Sequence, residues 1–147
     1  MKFAFDIHGC IDSMPKLFSF LSNLLVDNGC EVHILTGSIW TDKVEEELKN
    51  YGIKYTHHFS ITDHHLSIGT KMRYDEGTGN PWINTGDENQ DNILWDKSKA
   101  EYCEKHKIDL CIDDTTRYND YFTTPFARLW THSNHPKSAH RDKRHLD

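Results

Sequence analysis

Short apolar runs alternate along the chain with segments in which apolar residues recur every three or four positions. Two of the runs, at residues 3–7 and 31–37, have the length and composition of buried strands. Between them, apolar residues at helical spacing over residues 17–25 predict a helix that Gly29 can end. A second helix is predicted over residues 41–52. The chain therefore opens with strands and helices in alternation.

The pattern continues less regularly after the second helix. Residues 53–61 predict a third strand, which is less apolar than the first two. Residues 62–95 are rich in Gly, Asn, Asp and Thr. A structureless loop of that length is uncommon in a compact domain, so we expect a functional flap or a small hairpin insert. A lysine-rich helix over residues 96–106 and strands over 108–114 and 126–130 complete the prediction.

Strands that alternate with helices predict an α/β fold with a mainly parallel sheet. We expect a single domain over residues 1–131 with three α/β/α layers of the Rossmann-like type, and an insert at 62–95 after the third strand. Residues 132–147 are polar, rich in histidine and locally basic. They predict a mobile, solubilising tail or, as an alternative, a segment that contacts a polyanion.

The composition excludes some classes of function. Seventeen basic and 23 acidic residues among 147 give a net charge of −6, whereas a protein that binds nucleic acid over its whole surface is usually basic. We see no stretch that could span a bilayer and no signal peptide. The cysteines are widely spaced, which favours free thiols and a cytoplasmic protein. They are Cys10, Cys30, Cys103 and Cys111.

Carboxylates lie at the carboxyl ends of two of the predicted strands. Asp6 ends the first strand, and Asp113 and Asp114 end the fourth. In parallel α/β sheets the ligand site lies beyond the carboxyl ends of the strands, so these side chains should converge if the strand order permits. Carboxylates this close repel one another unless a cation neutralises them. Mg²⁺ prefers oxygen ligands, and it commonly binds one or two carboxylates together with a substrate phosphate.

Groups that could hold a phosphate follow the second strand. The hydroxyl of Thr36 and the backbone N–H groups of Gly37 and Ser38 can cradle phosphate oxygens at a helix N-terminus. A lysine of the helix before the fourth strand, Lys97 or Lys99, could add positive charge. Together with the carboxylates, these are the parts that phosphoryl transfer requires.

Four segments, in this order, resemble the motifs of the haloacid dehalogenase (HAD) superfamily of phosphohydrolases. They are DIHGCID, ILTGS, the helical lysine and LCIDDTTRYND. The resemblance covers roughly residues 1 to 130, and the DIHG segment is also similar to that of small HAD-like proteins, some of them encoded by phages. It implies a HAD-like fold and a Mg²⁺-dependent phosphatase or nucleotidase that acts through an aspartyl-phosphate.

The resemblance also implies a role for each matching residue. Asp6 would be the nucleophile and a metal ligand. Asp114 would bind Mg²⁺ directly, with Asp113 as a second ligand or an outer partner. Thr36, with the backbone of the two residues after it, would bind the transferring phosphate, and Lys99 would neutralise negative charge. Asp120 would help to orient the metal shell.

The chain departs from the family at His8. Most members carry an aspartate at this position, which protonates the leaving oxygen and then activates water. The backbone carbonyl of His8 would still bind the metal whatever the side chain. Imidazole exchanges protons near neutral pH, so its ring could replace the aspartate. The alternative is a catalytically weak or inactive protein that binds phosphate and metal and has a regulatory or interaction role.

The resemblance leaves the substrate open. Only a short stretch separates the first two motifs, so no cap domain is expected there. A phosphorylated small molecule or nucleotide could bind under the insert, whereas an open pocket could accept a phosphorylated macromolecule or be closed by a homo-oligomer. Tyr74, Trp82 and Trp95 could stack on a substrate ring or form the small core of the insert.

Two histidine pairs, His57-His58 and His64-His65, suggest a zinc site as a separate possibility. Adjacent residues of a strand point to opposite faces, so at most one residue of each pair would share a face. No cysteine lies nearby to complete a common zinc spacing. The simpler interpretation is that one or two of these histidines lie at the edge of the phosphate pocket and the others face solvent.

Overall fold

The computed structural model describes residues 1–131, so the predicted tail at 132–147 lies outside the described residues. The strands are β1 (Lys2–Asp6), β2 (Glu31–Thr36), β3 (His57–Ser60), β4 (Met72–Tyr74), β5 (Pro81–Ile83), β6 (Leu110–Asp113) and β7 (Phe126–Arg128). The helices are α1 (Pro15–Asp27), α2 (Asp42–Asn50), α3 (Ile61–Ser67) and α4 (Glu88–His106).

Five of the strands form one parallel sheet in the order β3-β2-β1-β6-β7. Strand β1 lies at its centre, with β2 on one side and β6 on the other. Strands β4 and β5 form a separate antiparallel hairpin. The predicted α/β class with a mainly parallel sheet is confirmed, and the sheet with its flanking helices is compatible with a Rossmann-like fold.

Alternation along β1 sends its side chains into two hydrophobic clusters. Phe5 packs against Phe18 of α1, with ring centroids 5.1 Å apart, in a cluster that also contains Leu48 of α2. Ala4 belongs to a second cluster with Cys103 of α4. Both clusters are buried, so the helices cover the sheet on both faces and hold its central strands rigidly in place.

Residues 62–95 contain more regular structure than the sequence predicts. They comprise most of α3, the β4-β5 hairpin and the first two turns of α4. The predicted hairpin is present, but the start of the helix at residue 96 is wrong because α4 begins at Glu88. The carboxylate of Asp87 accepts hydrogen bonds from the N–H groups of Asn89 and Gln90 at 3.0 and 3.3 Å, which caps the helix.

The predicted third strand is also too long, since β3 covers only His57–Ser60. The hydroxyl of Ser60 accepts a hydrogen bond from the N–H of Asp63 at 3.1 Å and so begins α3 at once. All four cysteines are free, as their spacing predicts. Within residues 1–131, no helix combines the length and the apolar character needed to cross a membrane.

Candidate active site

The central feature of the molecule is a buried lysine between two buried carboxylates. Lys99 Nζ donates to Asp6 Oδ1 at 2.8 Å and to Asp113 Oδ2 at 2.6 Å. The three side chains are between 1 and 8% exposed. Asp6 ends β1 and Asp113 ends the neighbouring β6, so the parallel sheet brings the two carboxylates together at its carboxyl edge.

Asp114 completes a cluster of three carboxylates. One oxygen from each of Asp6, Asp113 and Asp114 lies within 4.8 Å of the other two. The turn after β1 approaches Asp114 so closely that a Cβ added to Gly9 would lie 2.1 Å from Asp114 Oδ2. Gly9 also has φ +88°, a conformation that favours glycine. The glycine of the DIHG segment is therefore required by both space and backbone conformation.

The electrostatics of this cluster favour an added cation. Burial, followed by repulsion from Asp113, raises the pKa of Asp6 well above its ordinary value, although Lys99 opposes the shift. Burial and Asp113 also raise the pKa of Asp114 to about 7. Burial alone would lower the pKa of Lys99, but Asp113 and Asp6 outweigh it and raise that pKa well above its ordinary value. The ammonium is therefore charged, and one positive charge does not balance three carboxylates.

The structure distinguishes the two candidate lysines by position. Lys97 Nζ forms an ion pair with Glu101 one turn along α4, at 3.3 Å, and its side chain is 36% exposed. Lys99, two residues later, points into the carboxylate cluster. Helical geometry explains the difference, because positions two residues apart lie on nearly opposite faces.

A cavity of about 650 Å³ opens above the carboxylate cluster. Its lining includes Asp6, His8, Gly37, Ser38, Lys99, Asp113 and Asp114, which brings together most of the predicted site residues. Thr36 is fully buried beside it, and its hydroxyl accepts a hydrogen bond from the N–H of Ser38 at 3.3 Å. That contact directs the Ser38 N–H at Thr36, which does not itself line the cavity. The side chain of His8 is exposed at the mouth of the site.

Two arginines at the cavity were not among the predicted site residues. Arg117 and Arg128 both line it. Arg117 Nε donates to the carboxylate of Asp96, and Arg128 Nε donates to the backbone carbonyl of Asp114 at 2.9 Å. Arg117 lies in the segment LCIDDTTRYND, so its nearness to Asp114 in sequence was the available signal. Arg128 reaches the site only because β7 pairs with β6.

Aromatic side chains form one wall of the cavity. Trp95 packs against Gly37, where an added Cβ would lie 2.6 Å from the indole, and its Nε1 donates to Tyr118 Oη at 3.3 Å. Trp82 of β5 stacks on Trp95, with ring centroids 6.2 Å apart. Tyr74 is 61% exposed on β4. The two tryptophans therefore join the hairpin to α4, and they also face the space available to a substrate.

Some predicted residues lie away from the cavity. Asp120 is exposed in the short turn after β6. His58 stacks on Trp40 at 3.9 Å between ring centroids. His65 is buried and hydrogen-bonded to Ser98 Oγ at 2.9 Å. In the described part of the chain the paired histidines do not line the cavity, so the prediction that one or two lie at its edge is wrong.

Comparison with models of known protein families found no match, and searches of curated proteins and of solved structures found none either. The chemistry of the site is therefore inferred from its own residues.

Proposed function

We propose that this protein is a Mg²⁺-dependent phosphohydrolase of the HAD type that acts through an aspartyl-phosphate at Asp6. The observation that carries the proposal is the buried ammonium of Lys99, which joins the carboxylate at the end of β1 to the one at the end of β6 beneath a cavity. The parallel order β3-β2-β1-β6-β7 supports it, because it places the carboxyl ends of the three resembling strand segments at one edge of the sheet.

The carboxylate cluster fits a divalent metal ion. Its donors are oxygens of Asp6, Asp113 and Asp114, which match the preference of Mg²⁺. With one ammonium present, three ionised carboxylates leave two negative charges to be balanced, as a divalent cation would do. When bound there, the ion would supply charge stabilisation to the transferring phosphoryl group.

Asp6 is placed to act as the nucleophile. Lys99 donates to Oδ1 of Asp6, so Oδ2 is the oxygen that would attack phosphorus. The bond from phosphorus to the leaving oxygen breaks as the aspartyl-phosphate forms, and the leaving oxygen takes up a proton. Water then attacks phosphorus, releases inorganic phosphate and restores the carboxylate of Asp6. Lys99 offsets negative charge during both steps.

The cavity wall offers donors for the remaining phosphate oxygens. Backbone groups of Gly37 and Ser38 lie at the end of β2, and the guanidinium groups of Arg117 and Arg128 add positive charge. Arginine suits phosphate because its planar fork donates two parallel hydrogen bonds. The aromatic wall leaves room for a nucleotide or another small phosphate ester.

A screen of phosphate monoesters with Mg²⁺ or with a chelator tests the proposal. We expect Asp6→Asn to lower the rate by more than about 10³-fold, since removal of a nucleophile costs at least this much. Asp27→Asn, an exposed change at the end of α1, is the matched control and should retain full activity. Wild-type protein that turns over no ester in a metal-dependent way would contradict the proposal.

The second candidate function is that of a catalytically weak or inactive protein that binds phosphate and metal. The exposed histidine in place of the usual acid favours it. His8 lines the cavity, so its ring is within reach of a substrate but is not held in the interior. Replacement of His8 by Asp separates the two functions. A gain in turnover would mean that His8 restrains the chemistry, whereas a loss would mean that its ring exchanges the proton.

A further inference from the structure

A second group of ligand-type side chains lies at the opposite edge of the sheet. It consists of Glu31, His33 and His57, one ligand atom of each lying within 4.8 Å of the other two. Glu31 and His57 are the first residues of β2 and β3, whereas the candidate active site lies at the carboxyl ends of the strands. We propose that these three residues form a site for a divalent transition-metal ion such as Zn²⁺.

Strand geometry places the three side chains on one face. Glu31 and His33 are two residues apart on β2, so they point in the same direction. His57 is the direct partner of His33 in the parallel register, and the two rings stack with centroids 4.3 Å apart. His58, the next residue, points to the other face and stacks on Trp40. The pairing of β2 with β3 therefore selects His57 as the ligand.

The distances suit a small ion. His33 Nε2 and Glu31 Oε2 are 2.8 Å apart, and all three ligand atoms fall within 4.8 Å. Ligands of a tetrahedral zinc ion are about 3.3 Å from one another, given bonds of about 2.0 Å. Small side-chain rotations would reach that separation. Two imidazoles and one carboxylate are also a ligand set that zinc and other divalent transition metals accept.

The surroundings hold His33 in a binding orientation. Its ring is fully buried, and its Nδ1 lies 2.7 Å from the hydroxyl of Tyr102 on α4. A hydrogen bond at one ring nitrogen fixes the direction of the other, as is common among metal-binding histidines. Glu31 and His57 are accessible, so an ion can enter from solvent. The ion would compete with the hydrogen bond between His33 and Glu31 at 2.8 Å and with the exposed ion pair of Lys2 with Glu31 at 3.6 Å, which is weak.

Binding would replace the hydrogen bond between His33 and Glu31 with two metal bonds. Nε2 of His33 would give up its proton to bind the ion, and Nδ1 would take up a proton and donate it to the hydroxyl of Tyr102. The ion would then join the amino ends of β2 and β3. The site is separate from the cavity of the candidate active site, so neither proposal depends on the other.

Titration of the full chain with Zn²⁺, followed by calorimetry, tests the site. His57→Ala removes a ligand, and His58→Ala is the matched control on the same strand but the opposite face. We expect wild type and His58→Ala to bind one more equivalent of Zn²⁺ than His57→Ala. Any ion bound by other histidines or by the carboxylate cluster is common to all three proteins.

Two further variants sharpen the result. Glu31→Gln should behave like His57→Ala, whereas Tyr102→Phe should keep the stoichiometry and weaken binding by about 10-fold, as loss of an outer partner does. Co²⁺ should give the visible spectrum of a four-coordinate ion with wild type and His58→Ala, and not with His57→Ala. Equal Zn²⁺ binding and equal Co²⁺ spectra in the His57 and His58 variants would overturn the proposal.

Discussion

Replacement of Lys99 by Met is the sharpest test of the carboxylate cluster. The lysine is 2% exposed and donates to both Asp6 and Asp113. Met has a similar length, so the change removes charge and hydrogen bonds with little loss of volume. Two buried carboxylates are then left without their cation.

The expected cost follows from that loss. Removal of one member of a buried ion pair lowers the free energy of unfolding by about 3–5 kcal/mol. For a domain of this size each 1 kcal/mol corresponds to a shift in Tm of about 4 °C, so we expect a fall of about 12–20 °C at pH 8. The pKa of Asp6 is already raised and rises further without Lys99. A carboxyl group whose pKa is raised by folding makes the folded protein less stable as pH increases. The loss of stability caused by Lys99→Met should therefore be smaller at pH 5 than at pH 8.

Thermal unfolding followed by circular dichroism measures the effect at both pH values. Lys97→Met is the matched control, because it changes the same residue type two positions earlier on α4. Its only ion pair in the described structure is with Glu101, and such exposed pairs contribute about 0.3–0.5 kcal/mol. Equal Tm values for the two variants would refute the buried bridge. A fall in Tm for Lys99→Met that is larger at pH 5 than at pH 8 would refute the raised pKa of Asp6 as its cause.

Three further outcomes are expected. Gly9→Ala should lower the free energy of unfolding by about 1–3 kcal/mol or more, because φ is +88° and the new Cβ would meet Asp114. Gly77→Ala is the control, since an added Cβ meets no atom there, and it should change the free energy of unfolding by less than about 0.5 kcal/mol. Urea titrations measure both values. Mg²⁺ should raise Tm more at pH 8 than at pH 5.5, since Asp114, with a pKa of about 7, is protonated at the lower pH and cannot bind the ion; an equal shift at both values would contradict this. A thiol reagent should label about one cysteine, Cys30, in the native protein and all four after denaturation, because the other three are buried; rapid labelling of more than one would show a more open core.

The sequence by itself determined the class of fold and the positions of the chemical groups along it. Apolar runs with helical segments between them identified β1, β2 and β6, because burial on both faces leaves a continuous apolar signal that single residues cannot obscure. The carboxylates were predictable because ligand sites follow the ends of such strands. Short or polar elements were not predictable. The prediction missed the first eight residues of α4, because these turns are mostly exposed and carry no apolar periodicity.

Contacts between distant segments were decided only by the tertiary structure. Lys97 and Lys99 are equivalent in sequence, and the rotation of α4 against the sheet is what directs Lys99 at Asp6. Arg128 reaches the cavity through the pairing of β7 with β6. Likewise, His33 and His57 become neighbours only through the register of β2 with β3, because a local pattern cannot encode which strands pair. The sequence thus identifies the candidate side chains, and the packing of the sheet and helices determines which of them come into contact.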